Sequence, residues 1–455
     1  MKDFSTMVTR QREYVAARLT RDVHQRQTWL AGIEQWIGDH TDDITAALKA
    51  DLGKPEFEAY ATEIGVVADE ARFARRHLGR WNRTKIVPTG VKAFPSYGRI
   101  QPEPYGVTLI MSPWNYPFML TLTPLISAIA AGNTAVVKPS AYSPATSALV
   151  ARMCGELFDP GHVCVVEGGR VENQALLDQA WDLIFFTGSS TVGRQVMSAA
   201  STHLTPVVLE LGGKSPCIVD QSANLELTAR KVVWGKFVNA GQTCVAPDYL
   251  LVHRLVKDAL IEAMARTVAK FYGPDPLTNP DYPTIINDKH FHRLLGLLDG
   301  EHAVIGGRHD AGTRRIEPTV VDHASWDSAV MSEEIFGPIL PVLTYDTPAE
   351  VVSQVSSRPK PLATYVFTSR PAMANYFMSH LSFGGGCVND TVVHLSSPRL
   401  PFGGVGASGM GRYHGQAGFD AFTHHKSILV ASGRVDLPVR YPPYTSAALA
   451  LLKHL

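Results

Sequence analysis

Three polar side chains stand where they could carry out nucleophilic chemistry on a carbonyl group. Cys244 lies in NAGQTCVAPDYLL, between a predicted helix and a predicted strand, where a thiol can face a cleft. Glu210 ends the apolar run PVVLEL, and burial there would raise its pKa and make it a candidate general base. Asn115 follows the predicted strand VTLIM, and its amide could donate to a developing oxyanion. Taken alone, the cysteine fits a structural thiol equally well, and asparagine commonly forms turns.

A phosphate-binding turn is the second chemical signal. The segment FFTGSSTVGRQV takes a predicted strand into a helix through Gly188 and Ser189, with Gly193 in the helix. Glycine permits the sharp turn, serine can cap the helix, and a helix N-terminus favours a pyrophosphate. An ordinary strand-to-helix turn would carry the same residues. Two other matches fail on context, because GVGASG at 404–409 follows no buried strand and GKS at 213–215 lacks the first glycine of a P-loop.

The elements that must position these residues follow from hydrophobic spacing. Apolar residues at three- and four-residue steps predict amphipathic helices from residue 1 to about 80. Beyond them, short apolar runs recur at intervals that leave room for a crossover helix between parallel strands. The spacing therefore predicts a doubly wound α/β domain ending near residue 210 and a second α/β domain with its own sheet. The predicted strands are 107–111, 134–138, 163–166, 183–186 and 206–211, then 249–253, 339–343 and 364–368.

The composition of two further segments predicts their local structure. Residues 82–100 are polar and punctuated by proline and glycine, which predicts a protruding hairpin whose edge could pair across a subunit interface. Residues 118–137 form the most apolar window, but Pro124 and the glycine–asparagine pair at 132–133 interrupt it. We therefore expect a helix, a turn and a strand there rather than a membrane span.

The composition excludes several classes of protein. The 455 residues carry 42 basic and 42 acidic side chains, so no net charge draws the chain to nucleic acid or to an acidic membrane. Its 5 cysteines form no C-x-x-C pair, which argues against a disulfide framework and against a metal site. The charged N-terminus lacks the apolar stretch of a secretory signal. We expect a cytoplasmic protein without a metal, a nucleic-acid partner or stable membrane insertion.

Seven segments, in this order and spacing, resemble the aldehyde dehydrogenase superfamily. The short N-terminus and the sequence GMGRYHG followed by FTHHKSIL are similar to its class 3 branch, which includes aromatic, fatty and coniferyl-type aldehyde dehydrogenases. The matching segments are PWNYP, KPS at 138–140, FTGSSTVG, LELGGK, GQTC, EEIFGP at 333–338 and PFGGVGASGMG at 401–411.

The resemblance implies that family's fold, which has a doubly wound, parallel-sheet NAD(P)-binding domain, an α/β catalytic domain and a small oligomerisation flap. The residues concerned would be 1–81 and 101–210 for NAD(P) binding, 211–410 for catalysis, and 82–100 with 420–435 for the flap. It also implies a homodimer.

By motif position, the resemblance assigns Cys244 as the nucleophile, Glu210 as the general base and Asn115 as an oxyanion donor beside the Cys244 backbone N–H. It assigns cofactor contacts to a further set: Trp114, Lys138, Gly188, Ser189, Gly193, Glu334 and Phe336. Lysine and glutamate in that set match ribose contacts, phenylalanine a nicotinamide contact, and the glycines the turn under the pyrophosphate. The family positions that border the substrate tunnel correspond to Tyr116, Met119, Leu120, Val245 and His394.

The resemblance implies NAD(P)-dependent oxidation of an aldehyde through a thiohemiacetal and a thioester on Cys244, with Glu210 assisting hydrolysis. Two other functions remain open. One is a catalytically silent homologue used as a scaffold. The other is a CoA-acylating dehydrogenase, in which a thiol rather than water resolves the thioester.

The chain departs from the family at one cofactor position. NAD-preferring relatives carry a glutamate three residues after the lysine of the KPS motif, and this chain has Ala141 there. That glutamate would repel the 2′-phosphate of NADP. Without it, we expect NADP as well as NAD to be accepted, with Lys138 as a nearby cation.

Overall fold

The computed structural model describes residues 3–454, and its strands assemble into two parallel-rich sheets and smaller antiparallel ones. The strands are β1 (Lys85–Pro88), β2 (Ser96–Pro104), β3 (Val107–Met111), β4 (Thr134–Lys138), β5 (Val163–Val165), β6 (Leu183–Thr187), β7 (Val207–Glu210), β8 (Pro216–Val219), β9 (Tyr249–His253), β10 (Ala303–Ile305), β11 (His309–Asp310), β12 (Arg315–Ile316), β13 (Thr319–Val321), β14 (Ile339–Tyr345), β15 (Ala363–Phe367), β16 (Gly385–Val388), β17 (Gly409–Met410) and β18 (Thr423–Ala431).

Helices cover the faces of the two large sheets. They are α1 (Ser5–Ala16), α2 (Val23–Asp39), α3 (Thr41–Leu52), α4 (Glu56–Ala59), α5 (Gly65–Trp81), α6 (Met119–Ala131), α7 (Pro144–Leu157), α8 (Arg170–Leu177), α9 (Ser190–Ser201), α10 (Leu225–Phe237), α11 (Lys257–Tyr272), α12 (Asp288–Leu298), α13 (Ala329–Ser332), α14 (Pro348–Ser356), α15 (Pro371–His380), α16 (Gly415–Ala421) and α17 (Ser446–His454). None of the helices described combines the length and the apolar character that crossing a membrane requires.

The first large sheet has the order β17-β7-β6-β3-β4-β5, and all its pairings except that of β17 are parallel. The chain adds β4 and β5 on one side of β3 and then β6 and β7 on the other, so the direction of winding reverses between β3 and β6. Such a reversal opens a crevice at the carboxyl ends of the strands, where open α/β sheets bind ligands. The predicted doubly wound α/β fold is confirmed.

The second large sheet has the order β10-β13-β14-β9-β8-β15-β16, parallel apart from β10. Along the chain, the first strand of this sheet is β8, which a short loop joins to β7 of the first sheet. The segment between α10 and β9 leads from the helical layer back into this sheet, and Cys244 lies in that segment. The nucleophile candidate is therefore held by the second sheet while facing the edge of the first.

The apolar window at 118–137 forms a helix, a turn and a strand, as predicted. Every residue of α6 is buried, which explains its apolar character on all faces. Gly132 ends the helix with a φ of +89°, a conformation that favours glycine, and β4 follows at once. Pro124 lies within the helix.

The predicted hairpin at 82–100 is confirmed by the antiparallel pairing of β1 with β2, which places Lys85 opposite Ile100. A third strand, β18, pairs with β2 along its whole length, from Thr423 opposite Pro104 to Ala431 opposite Ser96. We call this three-stranded sheet the flap. At the end of the predicted catalytic domain, β17 pairs with β7 of the first sheet. The proposed division into domains stays a prediction, and residues 1 and 2 of it lie outside the described residues.

Candidate active site

A cavity of about 420 Å³ lies at the carboxyl edge of the first sheet, where the loop after β3, the start of α9 and the end of β7 meet the second sheet. We call it the polar cavity. It brings together most of the side chains singled out from the sequence: Trp114, Asn115, Gly188, Ser189, Glu210, Cys244, Glu334 and Phe336. Lys138 and Gly193 are not among its lining residues.

The loop that carries Cys244 has an unusual backbone. Asn239, Ala240 and Gly241 have φ values of +53°, +51° and +74°, so two residues with side chains adopt the left-handed region. A Cβ on Gly241 would lie 2.2 Å from the Gly337 carbonyl oxygen, which excludes any other residue there. Strained backbone of this kind costs free energy and clusters at functional sites.

Side-chain amides hold this loop in place. The Asn239 amide donates to the backbone carbonyls of Asn115 at 2.7 Å and Gln242 at 3.2 Å. The Gln242 amide donates to the Thr284 carbonyl at 3.0 Å and accepts from the Ile286 N–H at 3.0 Å. The GQTC motif thus contributes a buried amide that connects the loop carrying Cys244 to a segment more than forty residues away.

Two tyrosines fix the residues on either side of Cys244. The Tyr116 hydroxyl lies 2.6 Å from the Thr243 hydroxyl, and the Tyr365 hydroxyl donates to the Val245 carbonyl at 2.5 Å. All of these residues are buried. The position of the thiol is therefore set by its neighbours on both sides.

The thiol of Cys244 is partly exposed to the polar cavity. Burial, together with the nearby carboxyls of Glu334 and Glu210, raises its pKa to about 12, although the backbone N–H groups of Cys244 and Val245 act in the opposite direction. Cys244 is therefore a protonated thiol at neutral pH until a nearby group removes its proton.

The Glu210 carboxyl is buried, and no hydrogen bond stabilises its charge within the described residues. Its exposed fraction is 2%, and neither carboxyl oxygen has a hydrogen-bond partner among residues 3–454. Burial holds the pKa of Glu210 well above its usual range. The ionised form of such a carboxyl is a stronger base than an ordinary carboxylate, which suits a candidate general base.

Asn115 is almost fully buried, and its amide nitrogen donates to the Gln242 carbonyl at 2.9 Å. An amide nitrogen carries two hydrogens, so a second remains for a substrate oxygen. The same hydrogen bond orients the Asn115 amide beside the loop that carries Cys244.

The loop 333–336 carries Glu334 and Phe336 into the polar cavity. Burial and the nearby Asp248 carboxyl raise the pKa of Glu334 to about 8. The side chain fits because Gly212 opposite has no Cβ, which would lie 2.1 Å from the Glu334 Oε2. The Phe336 ring meets the Trp114 ring edge to face, with centroids 5.3 Å apart.

Three residues that the sequence did not single out hold this loop. Lys214 donates to the carbonyls of Val330 at 2.9 Å and Glu333 at 2.8 Å, and it pairs with Asp248. Arg293 donates to the Ile335 carbonyl at 2.6 Å. Lys214 lies in the LELGGK segment that resembles the family, but no role was predicted for it from the sequence, and Asp248 and Arg293 lie in none of the matching segments.

The remaining cofactor candidates occupy two places. Gly193 lies in the first turn of α9, where a Cβ would lie 2.6 Å from the side chain of Leu211, so the glycine allows the helix to pack closely against the residue that follows β7. Ser189 caps the same helix and accepts from the Val192 N–H at 3.4 Å. Lys138, at the end of β4, donates to the Pro139 carbonyl at 2.5 Å, and burial lowers its pKa to about 8.

A second cavity of about 210 Å³, which we call the apolar cavity, meets the polar cavity at Cys244, Leu120 and Phe402, which line both. Most of its wall is hydrophobic. Of the residues that the sequence analysis placed at a substrate tunnel, Tyr116, Met119 and Leu120 line it, whereas Val245 and His394 do not. Its full lining is Ala61, Thr62, Val66, Tyr116, Met119, Leu120, Trp234, Val238, Thr243, Cys244, Val392, Val393, Leu395, Ser396, Phe402, Tyr413 and His414.

Within residues 3–454, no cluster of histidine, cysteine, aspartate or glutamate side chains could hold a metal ion. The expectation that the protein uses no metal stays a prediction.

Comparison with known sequences identifies the group to which these features belong. Residues 2–428 match the model of the aldehyde dehydrogenase family. The chain is 50% identical to 4,4'-diaponeurosporen-aldehyde dehydrogenase of Staphylococcus aureus over 93% of each protein. It is 45% identical to aldehyde dehydrogenase family 3 member H1 of Arabidopsis thaliana, over 99% of this chain and 94% of that protein.

Comparison with solved structures gives the same family. The substrate-bound state of Staphylococcus aureus AldH superposes with a TM-score of 0.97 at 47% identity, covering 100% of this chain and 99% of that one. An NAD-dependent aldehyde dehydrogenase from Sinorhizobium meliloti has a TM-score of 0.87 at 28% identity, covering 95% and 87%. An NADP-dependent enzyme from E. coli has a TM-score of 0.87 at 26% identity, covering 94% and 89%.

Proposed function

Since this chain belongs to the aldehyde dehydrogenase family, we propose that it oxidises an aldehyde to a carboxylic acid with NAD or NADP, using Cys244 as the nucleophile. The position of Cys244 carries the proposal, because this residue lines both the polar and the apolar cavity. A hydrophobic aldehyde in the apolar cavity would bring its carbonyl carbon to the thiol, and a dinucleotide would occupy the polar cavity on the other side of that contact.

The lining of the polar cavity suits a dinucleotide. The N-terminus of α9, with Ser189 and Ser190, offers backbone N–H groups to a pyrophosphate. The Glu334 carboxyl can accept hydrogen bonds from ribose hydroxyls, and Trp114 and Phe336 supply aromatic surface for a ring. The NAD- and NADP-dependent structural relatives support either cofactor. Bound NAD(P) supplies the hydride acceptor that the oxidation requires.

The reacting groups of the chain then act in order. The Cys244 thiol transfers its proton to water, and the resulting thiolate attacks the aldehyde carbon. The second hydrogen of the Asn115 amide, with the Cys244 backbone N–H, stabilises the oxyanion of the thiohemiacetal. After oxidation, the acyl group remains on the sulfur as a thioester. Glu210 accepts a proton from the water that hydrolyses this thioester, and the carboxylic acid leaves.

We also propose a homodimer in a reducing compartment such as the cytoplasm. All five cysteines are free, and a catalytic thiol must remain reduced. The dimer is supported by the flap and the loop between β1 and β2, where the apolar side chains of Ile86, Phe94 and Leu429 are exposed at 73%, 58% and 57%.

The test is an assay of the purified protein with aliphatic and aromatic aldehydes, following the absorbance of reduced nicotinamide with NAD and with NADP. We expect reduced cofactor and carboxylic acid in equal amounts, independent of CoA. Formation of an acyl-CoA only when CoA is present would favour the acylating alternative. No reduced cofactor with any aldehyde would favour a catalytically silent homologue.

A further inference from the structure

One histidine in the wall of the apolar cavity has no part in the reaction just described. His414 lines this cavity, and its Nδ1 lies 3.2 Å from Oε2 of Glu70. Both side chains are only 3% exposed. The other carboxyl oxygen of Glu70 accepts from the Gly415 N–H at 2.6 Å. A buried histidine and a buried carboxyl are therefore held together beside a chamber that is otherwise mainly hydrocarbon.

The backbone at His414 is strained. Its φ of 76° and ψ of 134° lie outside the regions that residues with side chains normally adopt. The next residue, Gly415, has a φ of +51°, and a Cβ there would lie 2.0 Å from the Pro398 carbonyl oxygen. A strained backbone and a desolvated polar pair both cost free energy, and such combinations persist at functional positions.

Several hydroxyl groups of the cavity wall already have hydrogen-bond partners within the chain. The Thr62 hydroxyl donates to the Glu58 carbonyl at 2.7 Å, and the Ser396 hydroxyl donates to the Val393 carbonyl at 2.8 Å. The hydroxyls of Tyr116 and Thr243 bond each other. By contrast, no described residue bonds Nε2 of His414.

The pairing with Glu70 fixes what Nε2 can do. A carboxylate only accepts hydrogen bonds, so Nδ1 must carry the hydrogen of the pair. In neutral imidazole, Nε2 is then an acceptor, and in the protonated ring it is a donor. A hydroxyl group satisfies either state, because it can donate and accept.

We propose that His414, oriented by Glu70, is a specificity-determining residue that binds a hydroxyl group on the tail of the aldehyde. This inference rests on the proposed function, since it assigns the tail to the apolar cavity and the carbonyl to Cys244. The substrate class is an aliphatic aldehyde with a hydroxyl some distance from the carbonyl carbon.

The experiment compares straight-chain ω-hydroxy aldehydes with the unsubstituted aldehydes of equal carbon number, over a series of chain lengths. For each pair the ratio of kcat/KM is measured, so losses common to both substrates cancel. In the wild-type protein we expect the hydroxylated substrate to be preferred about tenfold at the length that reaches His414, as a hydrogen bond of about 1.4 kcal/mol would give.

The variants are His414→Asn and Ser396→Ala. Asparagine tolerates positive φ better than most residues but is too short to present an acceptor at the same place. We expect His414→Asn to reduce the ratio to about one. Ser396→Ala, on the same wall, should keep the wild-type ratio, because the serine hydroxyl already bonds its own backbone.

A ratio below about twofold at every chain length in the wild type would overturn the inference, and this result does not depend on a variant that folds. An unchanged ratio in His414→Asn would overturn it as well. Oxidation of the unsubstituted aldehydes would show in both cases that the proposed function stands, whereas no oxidation of any aldehyde would reject the function itself.

Discussion

Cys244, Glu210 and Glu334 all have pKa values that burial raises, the first to about 12 and the last to about 8. A base acts in its ionised form, and a raised pKa moves that form to higher pH. We therefore expect kcat to rise as the pH is raised from neutral into the alkaline range. The measurement is a steady-state profile at saturating aldehyde and cofactor, with circular dichroism as the control for folding. A kcat that is flat or falls across this range would contradict the assignment of the bases.

Glu210→Gln tests the role of the buried carboxyl. An amide cannot accept the proton of the attacking water, so hydrolysis of the thioester should slow more than its formation. In stopped-flow measurements we expect a burst of reduced cofactor of up to one equivalent per site, followed by a slow phase. An equal loss in burst and steady state would mean that Glu210 acts earlier, for example on the thiol.

Ala141 is exposed, at the start of the loop after β4, with Lys138 buried at the end of that strand. Because no carboxylate stands at Ala141, we expect kcat/KM for NADP to be within about tenfold of that for NAD. Ala141→Glu should shift the preference toward NAD, and Ala141→Gln, of equal size without the charge, should not. A wild-type preference for NAD above about a hundredfold would reject this account of cofactor choice.

At the scale of elements, a buried ion pair fixes the start of α6 beside the active site. Lys54 and Glu63 lie 2.5 Å apart with no exposed side-chain surface, and Glu63 also accepts from the N–H groups of Phe118 and Met119. The Lys54 ammonium lies 4.2 Å from the centre of the Tyr116 ring. This pair therefore connects α6 to the tyrosine that bonds Thr243.

Lys54→Met should lower the free energy of the first unfolding transition in urea by about 3 to 5 kcal/mol, because it leaves Glu63 buried without a counter-charge. The double variant Lys54→Met with Glu63→Gln removes both charges and should recover part of that loss. A change of less than about 1 kcal/mol in Lys54→Met would show that water or another group compensates Glu63.

The strands of the large sheets were predictable because parallel strands buried on both faces are continuous apolar runs. The predicted bounds of β3, β4 and β9 agree with the structure. The positive φ values of Asn239 and Ala240 could not be predicted, since neither residue is glycine and the strain depends on the distant segments that hold the loop.

The pairing of Glu70 with His414 joins residues 344 positions apart, so no local sequence pattern could indicate it. Of the flap strands, β2 runs past residue 100, where the predicted hairpin ended, because its pairing with β18 continues to Pro104.

At the scale of the whole molecule, the flap leaves β1 and β18 as edge strands, with exposed apolar residues on their surface. An exposed edge of this kind is available for pairing with a second chain. We expect light scattering to give twice the mass of the 49.6 kDa chain. Leu429→Asp should give the mass of one chain, because it places a charge in the proposed interface. A mass of four chains for the wild type would reject the homodimer.

The two sheets meet so that Cys244 lies between a cavity suited to a dinucleotide and a cavity suited to an apolar tail, and the most direct test of this account is the activity of Cys244→Ser. We expect a loss of at least about a thousandfold in turnover, since an alkoxide is far harder to form than a thiolate, while cofactor binding and the melting temperature stay unchanged. Cys387→Ser, a partly buried cysteine outside both cavities, is the matched control and should retain activity. Retention of more than about a tenth of wild-type turnover in Cys244→Ser would contradict the account.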